Sequence, residues 1–501
     1  MKRDLPIALL IFALGLWHNL GYVDTTAFHR DEARWVGRAY FWNELFHPSS
    51  ETWADGYLTR GQPPLGSYVM GLGLVIQGRD TDTTIRHQLY DFNKSQAWNR
   101  LNGRIPIQAD IDAGRRTDAF IGALLAMVVF YIGRTLVNRV AGFVAAALLI
   151  VHPLHVYLSS LAGSDALLGL LVALSALVAI QLARQPAWWR AVLLGVLLGL
   201  GGATKLSPLI LAFAVAEVGV ILLLNGKPWR TRTDEARHAQ DLGWMLLTTP
   251  LVAFAAFVAS YPYLWSDPIG RTRTLFQFRS DEMTNQGELW EDRAVTGLPD
   301  AISHVRLRLG EQLTSSEWLS VRVAERFTWS WDAPWLDLGL GMLGLGLLAL
   351  VATVNGIRSP QALALVVLVG QVAITLVGMQ ADFERYHLPM VILTMVGVGA
   401  LAGYGWMLAT VAATRLAPVL TRGRRRFRPS ALLTAVPVAP AGASRASSPP
   451  APRLPAVTGG APISANRFRA LVALVTALAV LTGFAIGQGR SGFRAITDRL
   501  G

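Results

Sequence analysis

Asp31 and Glu32 are adjacent carboxylates set among Arg30, Arg34 and Arg38, in the stretch Phe28-His-Arg-Asp-Glu-Ala-Arg-Trp35. A carboxylate in such a place can take a proton from an acceptor hydroxyl while nearby cations steady a phosphate. A solvated charge cluster at a membrane surface is the plainer alternative, and this stretch alone does not decide between them. Other polar residues could join the same chemistry. They are Arg60-Gly-Gln62-Pro63-Pro64-Leu65, His152, His155, Asp165, Lys205, Tyr261-Pro-Tyr263 and Glu384-Arg385-Tyr386-His387.

Each of these also has a purely structural use. Pro63-Pro64 can serve only to stiffen a turn. His152 and His155, spaced i, i+3, fit a divalent metal if a carboxylate joins them, or else simple helix-end hydrogen bonding. Asp165 competes with Ser164 as a helix cap. Lys205 can snorkel to an interface. Glu384 and Arg385 can form a plain ion pair, and Tyr261-Pro262 can merely end a span. Glu217 lies deep in an apolar run, where pairing inside a bundle and a functional role both fit. No residue pattern demands a cofactor; a divalent metal is the one left open.

The elements that must carry these residues are apolar. The chain has 501 residues, 52% hydrophobic and 16% charged, against roughly 25% charged in ordinary soluble domains. The apolar residues come in long runs, which predicts an all-α polytopic membrane protein. There are no cysteines, so disulfides, thiolate metal sites and a cysteine nucleophile are excluded. The formal net charge is +12, and no Asp or Glu occurs between Glu384 and Asp498. The basic residues flank hydrophobic runs, so they read as topology signals and contacts to anionic lipid, not as a nucleic-acid surface.

Hydropathy predicts about 11 transmembrane helices. Lys2 and Arg3 precede the first, from Leu5 to about Leu20, which no small-x-small cleavage site follows. A long polar segment, 21–116, comes next; inside it Pro63–Ile76 is apolar but too short to cross a bilayer that needs ~20 residues. Spans are expected near 117–136, 140–157, 163–183, 188–204, 206–224 and 242–260. A second polar segment, 261–335, reads as helices and loops, with juxtamembrane helices on the same external side. Spans follow near 336–354, 361–378 and 388–410. Residues 411–467 are rich in Ala, Pro, Ser and Arg and read as a disordered basic linker. A last span near 468–486 and a short external tail complete a final segment, 468–501. Arg134, Arg139, Arg184, Arg190, Lys227, Arg230, Arg232 and Arg237 fall on the side of the N-terminus. By the positive-inside rule that side is cytoplasmic, and both long polar segments lie outside. The candidate polar residues then gather on one face.

On these residues the chain resembles a known superfamily. The Asp31-Glu32 pair after the first span, Pro63-Pro64-Leu65 in the same loop and Lys205 after a Gly-rich span are similar to the protein O-mannosyltransferase and aminoarabinose-transferase superfamily. These are membrane glycosyltransferases of the GT-C class, and the resemblance covers residues 1–410. It implies a sugar donor linked to a polyprenyl phosphate, and a protein, lipid or glycan acceptor met on the external face. It further implies membrane lipid as surroundings, in a bacterial plasma membrane. By resemblance Asp31 is the catalytic acid/base and Glu32 its close partner, with Lys205 and Arg385 as candidates for the donor phosphate. Arg34, Arg60, Gln62, Pro63, Pro64, His152, Asp165, Tyr261, Tyr386 and His387 are the further substrate-site candidates. Two features depart from the pattern. Relatives often carry Lys or His where Gln62 stands, and 261–335 is too short for the β-rich domain of eukaryotic protein mannosyltransferases. The rival reading is a transporter or flippase of a lipid-linked substrate, whose marks would be internal repeats and charges near the midplane. The chain shows no clear repeat and gathers its polar residues at span ends.

Overall fold

A computed structural model describes residues 4–82, 90–225, 234–312, 314–315 and 335–425. The chain divides into two compact units, Met1–Tyr404 and Gly405–Gly501, and the candidate residues lie in the first. Its described residues form helices joined by turns and loops, with a single isolated bridge between Ala294 and Ala381 and no strand.

Among the described residues, eight helices are long and apolar enough to cross a membrane, or up to 9 if a bent pair counts as one span. They are Leu5–Val23, Gln108–Leu136, Asp165–Arg184, Ser207–Leu224, Arg237–Ala259, Leu336–Asn355, Pro360–Val377 and Glu384–Thr414. The expected span 140–157 is instead two helices, Arg139–Val151 and Pro153–Ser159, bent by 66°. Pro153 has no N–H to give and forces His152 out of the helical region, to φ −68° and ψ 123°. The expected span 188–204 is a shorter apolar helix, Trp188–Gly202. The final expected span lies outside the described residues. So do Lys227, Arg230 and Arg232, and residues 426–467 of the expected linker. Residues 411–425 continue the helix that begins at Leu388.

Small residues let these helices approach closely. A Cβ on Gly344 would collide with the carbonyl of Gly397, so the helices that bear them meet backbone to backbone. The first helix leaves Leu9, Leu10, Leu14 and Trp17 on its outer surface, as a lipid-facing side requires.

The ends of the bundle differ in character. At one end Asp4 pairs with Arg134 at 2.7 Å and Arg139 at 2.6 Å, and Arg184 donates to the carbonyl of Thr135. The two long polar segments share the other end, packed on each other. Tyr261 donates its hydroxyl to the Thr59 carbonyl, and Tyr263 donates to Asp55 at 2.8 Å. Phe278, on the helix Pro268–Leu289, meets Tyr57 edge-on. Leu65–Ile76 is a 12-residue helix that stays at this end. It encloses a small core of its own, in which Trp35, Val36 and Ala39 meet Met70, Leu74, Ala113 and Ala162. Residues 379–387 join the same layer through Val295 N–H to Gln380 O (3.0 Å) and Asp382 N–H to Arg293 O (2.7 Å).

Candidate active site

The helix Arg30–Gly37 is short and mostly polar, and its own propensity would not hold it. His29 caps it, with Nδ1 accepting from Asp31 N–H at 3.2 Å, and Glu32 reaches back to accept from His29 N–H at 2.9 Å. Glu32 does more than cap. Arg115 donates to both of its oxygens, at 2.7 and 2.8 Å, and Ala162 N–H donates at 3.1 Å. Arg115 also donates to the carbonyls of Val23 and Thr26. The two side chains are 1% and 2% exposed. The pair pins the exit of the first span and the start of Arg30–Gly37 to the helix Gln108–Leu136.

That anchoring leaves Asp31 facing open space. It lines a cavity of about 980 Å³ and ion-pairs with Arg385 across 354 residues of sequence. Burial pushes the Asp31 carboxyl up, but Arg385, then His29, Arg34 and Arg30, outweigh it and hold it below the ordinary value. Arg34 donates to the Tyr57 hydroxyl at 2.8 Å and lies over the rings of Tyr57 and Phe92.

A second cavity, of about 430 Å³, adjoins the first. Trp35, Gln62, Asp165, Arg279 and Arg385 line both. Asp31 lines only the larger and Lys205 only the smaller. Lys205 ion-pairs with Asp165. The Tyr386 ring lies 5.9 Å from the Lys205 ammonium and 5.5 Å from the Arg385 guanidinium. Its hydroxyl accepts from Arg279 at 3.2 Å. The smaller cavity also has an apolar side, formed by Leu206, Ile210, Ile374 and Val377.

The loop Arg60–Leu65 is held from two sides. Arg38, 2% exposed, donates to Ser67 Oγ at 3.1 Å, to Gln62 O at 2.8 Å and to the Leu58 carbonyl. Burial brings the Arg38 guanidinium down to about 10. Leu65 N–H donates to Ala203 O at 2.9 Å, which sets the loop beside the turn that carries Lys205. Arg60, Gln62 and Pro63 reach the smaller cavity.

Four expected site residues stand elsewhere. Pro64 caps the helix Leu65–Ile76 without lining either cavity. Tyr261 is fully buried and positions Thr59. His152 caps Pro153–Ser159, accepting from Leu154 N–H at 3.2 Å, while His155 Nε2 meets Gly122 O at 3.2 Å. The spacing that suggested a metal thus serves helix ends and packing. Among the described residues, no group of three or more His, Asp or Glu side chains is placed to hold a metal ion. His387 is fully buried against Asp382 at 2.7 Å. Asp382 also meets His304 at 3.1 Å and Arg308 at 2.9 Å. Burial pushes the Asp382 carboxyl up, yet its bonds to His387 and Arg308 hold it down at about 2.

Sequence reasoning missed Arg115, Arg279 and the anchoring role of Arg38. Arg115 was hidden because the span expected from 117 begins as a helix at Gln108. Hydropathy marks where a helix becomes apolar, not where it starts. Arg279 lies on Pro268–Leu289, a polar helix whose wall position only tertiary packing reveals.

Comparison with known proteins sharpens this picture. Residues 54–261 match the family model of dolichyl-phosphate-mannose-protein mannosyltransferases. That stretch holds Gln62, Asp165 and Lys205 and stops short of Asp31, Glu32 and Arg385. No curated protein matches the chain by sequence. Among solved structures, the chain is similar to the Archaeoglobus fulgidus oligosaccharyltransferase complex with Zn and sulfate. Identity there is 13% and the TM-score 0.45, over 81% of this chain and 51% of that one. It is also similar to ArnT from Cupriavidus metallidurans bound to undecaprenyl phosphate, at 14% identity and TM-score 0.41, over 82% of this chain and 64% of that one. The chain thus spans about half the length of the archaeal enzyme. The family match over 54–261 covers Pro63-Pro64-Leu65 and Lys205 and supports, over that stretch, the resemblance to the GT-C superfamily.

Proposed function

We propose that the chain is an integral membrane glycosyltransferase that moves a sugar from a polyprenyl-phosphate donor to an acceptor hydroxyl, with inversion. One observation carries the reading. A carboxylate, Asp31, stands in one cavity and touches Arg385, in the wall shared with a smaller cavity of mixed lining that holds Lys205 and an apolar side formed by Leu206, Ile210, Ile374 and Val377. A lipid phosphate suits the smaller cavity, with its apolar side and its cations; an acceptor suits the larger one. The leaving group is already good, so the protein must align an acceptor hydroxyl with the anomeric carbon. It must also take the hydroxyl proton and stabilise charge on the departing phosphate. Asp31 takes the proton; Arg385 and Lys205 meet the phosphate. Glu32 is held by Arg115 and Ala162 N–H, so Asp31 and Glu32 do not flank one sugar, which supports a single inverting displacement. The direct test offers purified protein a panel of polyprenyl-phosphate sugars and measures release of polyprenyl phosphate. No release with any donor, from folded protein, sinks the proposal.

Lys205→Met is expected to weaken donor binding by about 10- to 100-fold, since a charge-assisted contact to phosphate contributes ~1.5–3 kcal/mol. The fold should survive, because Lys205 is at the edge of a cavity and not in the core. Unchanged donor affinity by direct titration removes Lys205 from the phosphate site.

The active end is proposed to face outward, in a bacterial plasma membrane, because the short basic loops share the opposite end. The native chain has no cysteine, which makes labelling clean. Leu101→Cys and Glu288→Cys are expected to react with an impermeant thiol reagent in intact cells, and Gln185→Cys only after permeabilisation. The reverse pattern inverts the topology.

A further inference from the structure

Both cations proposed to hold the donor phosphate are engaged by carboxylates. Arg385 pairs with Asp31, and Lys205 pairs with Asp165. The set of four carries no net charge. Arg385 differs from Lys205 in two ways. Its carboxylate partner is the group proposed as the base, and its own side chain borders both cavities. Its guanidinium lies over Phe383 at 5.0 Å and Tyr386 at 5.5 Å. These rings hold its plane, and the Tyr386 side chain also hydrogen-bonds the guanidinium.

We infer that Arg385 is a charge-transfer clamp that arms the base: donor phosphate in the smaller cavity draws it off Asp31, so the carboxylate becomes fully basic only when a donor is in place. This rests on the glycosyltransferase reading and adds to it an order of events, donor before acceptor.

The step balances. The donor's anomeric carbon–oxygen bond breaks and the acceptor oxygen bonds to that carbon. The hydroxyl proton goes to Asp31, and the phosphate leaves with one more negative charge than it had in the donor. Asp31 loses a negative charge as the phosphate gains one. Arg385 therefore follows the charge from carboxylate to phosphate, with no change in the total inside a partly desolvated site. An arginine fork suits this, since it can keep one donor on each oxygen group while the balance shifts.

The other charged groups around Asp31 do not duplicate the clamp. His29, Arg30 and Arg34 share its helix and stay when donor binds; His29 Nδ1 is 3.9 Å from Asp31 Oδ2. Arg30 lies over Phe92 and Trp290, and Arg34 over Tyr57 and Phe92. Glu32 is saturated by Arg115. From other elements, Asp165, Arg279, Asp281, Glu282, Arg293 and Glu384 line the same cavity, and Asp165 and Arg279 also border the second. Arg279 is held by Glu282 and Tyr386; among the described residues of other elements it is Arg385 that ion-pairs with Asp31.

The experiment uses the full chain in lipid nanodiscs, with polyprenyl phosphate as the probe. The protonation of Asp31 is followed by its carboxyl infrared band, identified by its loss in Asp31→Asn. Saturating polyprenyl phosphate is expected to raise the Asp31 midpoint by about one pH unit. By linkage, lipid-phosphate affinity should then rise about tenfold as Asp31 is protonated. In Arg385→Met the midpoint should start high and stay there when lipid is added. Lys205→Met should bind the lipid more weakly yet keep the shift at saturation. Asp31→Asn, which needs no change at Arg385, should bind polyprenyl phosphate more tightly than the native chain. An unmoved midpoint at saturation overturns the clamp, as does an equal shift in Arg385→Met or weaker lipid binding by Asp31→Asn. Failure of the native chain to bind polyprenyl phosphate at all sinks the functional reading instead.

Discussion

Asp31→Asn is expected to lower sugar transfer by about 10²–10⁴-fold, the usual loss when a general base is removed. Polyprenyl-phosphate binding should be no weaker than in the native chain. Asparagine keeps the shape of the side chain and one oxygen toward Arg385, so a loss of this size would belong to proton removal. Glu32 is not available to replace it, because Arg115, Ala162 and His29 occupy its oxygens. The pH profile carries a second sign. Burial acts to raise the Asp31 carboxyl, but Arg385 and the neighbouring cations win and hold it below its ordinary value. A base must be deprotonated, so activity is present above its midpoint and lost as pH falls through it. The acid limb of kcat/KM for the donor reports free protein and should lie below the ordinary carboxylate value of about 4. The limb of kcat reports the donor-bound form and should lie higher, once Arg385 has moved. Turnover and lipid-phosphate titration on the same folded preparation check both statements. Near-native turnover of Asp31→Asn would remove Asp31 from the chemistry.

The Asp31–Glu32 pair was legible as a candidate because its signal is local. Two carboxylates, flanking arginines and a preceding apolar run lie within a short stretch, and a hydrophobic helix must deliver them to a membrane surface. The apolar runs gave the helical class for the same reason, since every backbone group in lipid must be satisfied within a helix. What stayed hidden was whatever depends on contacts between distant elements. Nothing near Glu32 in sequence reveals that Arg115 saturates it. His152 and His155 share a helical spacing on paper, yet Pro153 breaks the helix between them and sends each to a different carbonyl or amide. Resemblance makes Arg385 a candidate for the donor phosphate. That it holds Asp31 follows only from folding residues 379–387 over the cavity.

Breaking the Glu32–Arg115 pair is expected to have the other large effect, on stability and not on chemistry. Arg115 is 2% exposed and makes hydrogen bonds to Glu32, Val23, Thr26 and Ala27. Glu32→Gln replaces one acceptor oxygen with an amide that faces donors, and it leaves a buried guanidinium without its counter-charge. Removing one partner of such a pair typically costs about 3–5 kcal/mol. Arg115→Met should cost a similar amount, because the carboxylate is then left buried and unpaired. The double variant Glu32→Gln/Arg115→Met removes both charges and should be less destabilised than the sum of the two, by at least ~1 kcal/mol. Asp31 would lose its exact setting in each, so turnover per folded molecule should fall, but by less than in Asp31→Asn. The measurement is a double-mutant cycle of unfolding midpoints in one detergent, with turnover corrected for the folded fraction. Native stability in Glu32→Gln together with a larger loss of turnover than Asp31→Asn would move the base to Glu32. Additive destabilisation would show instead that the two side chains contribute independently, and that the juxtamembrane helix is held chiefly by Trp35, Val36 and Ala39 against Met70 and Leu74.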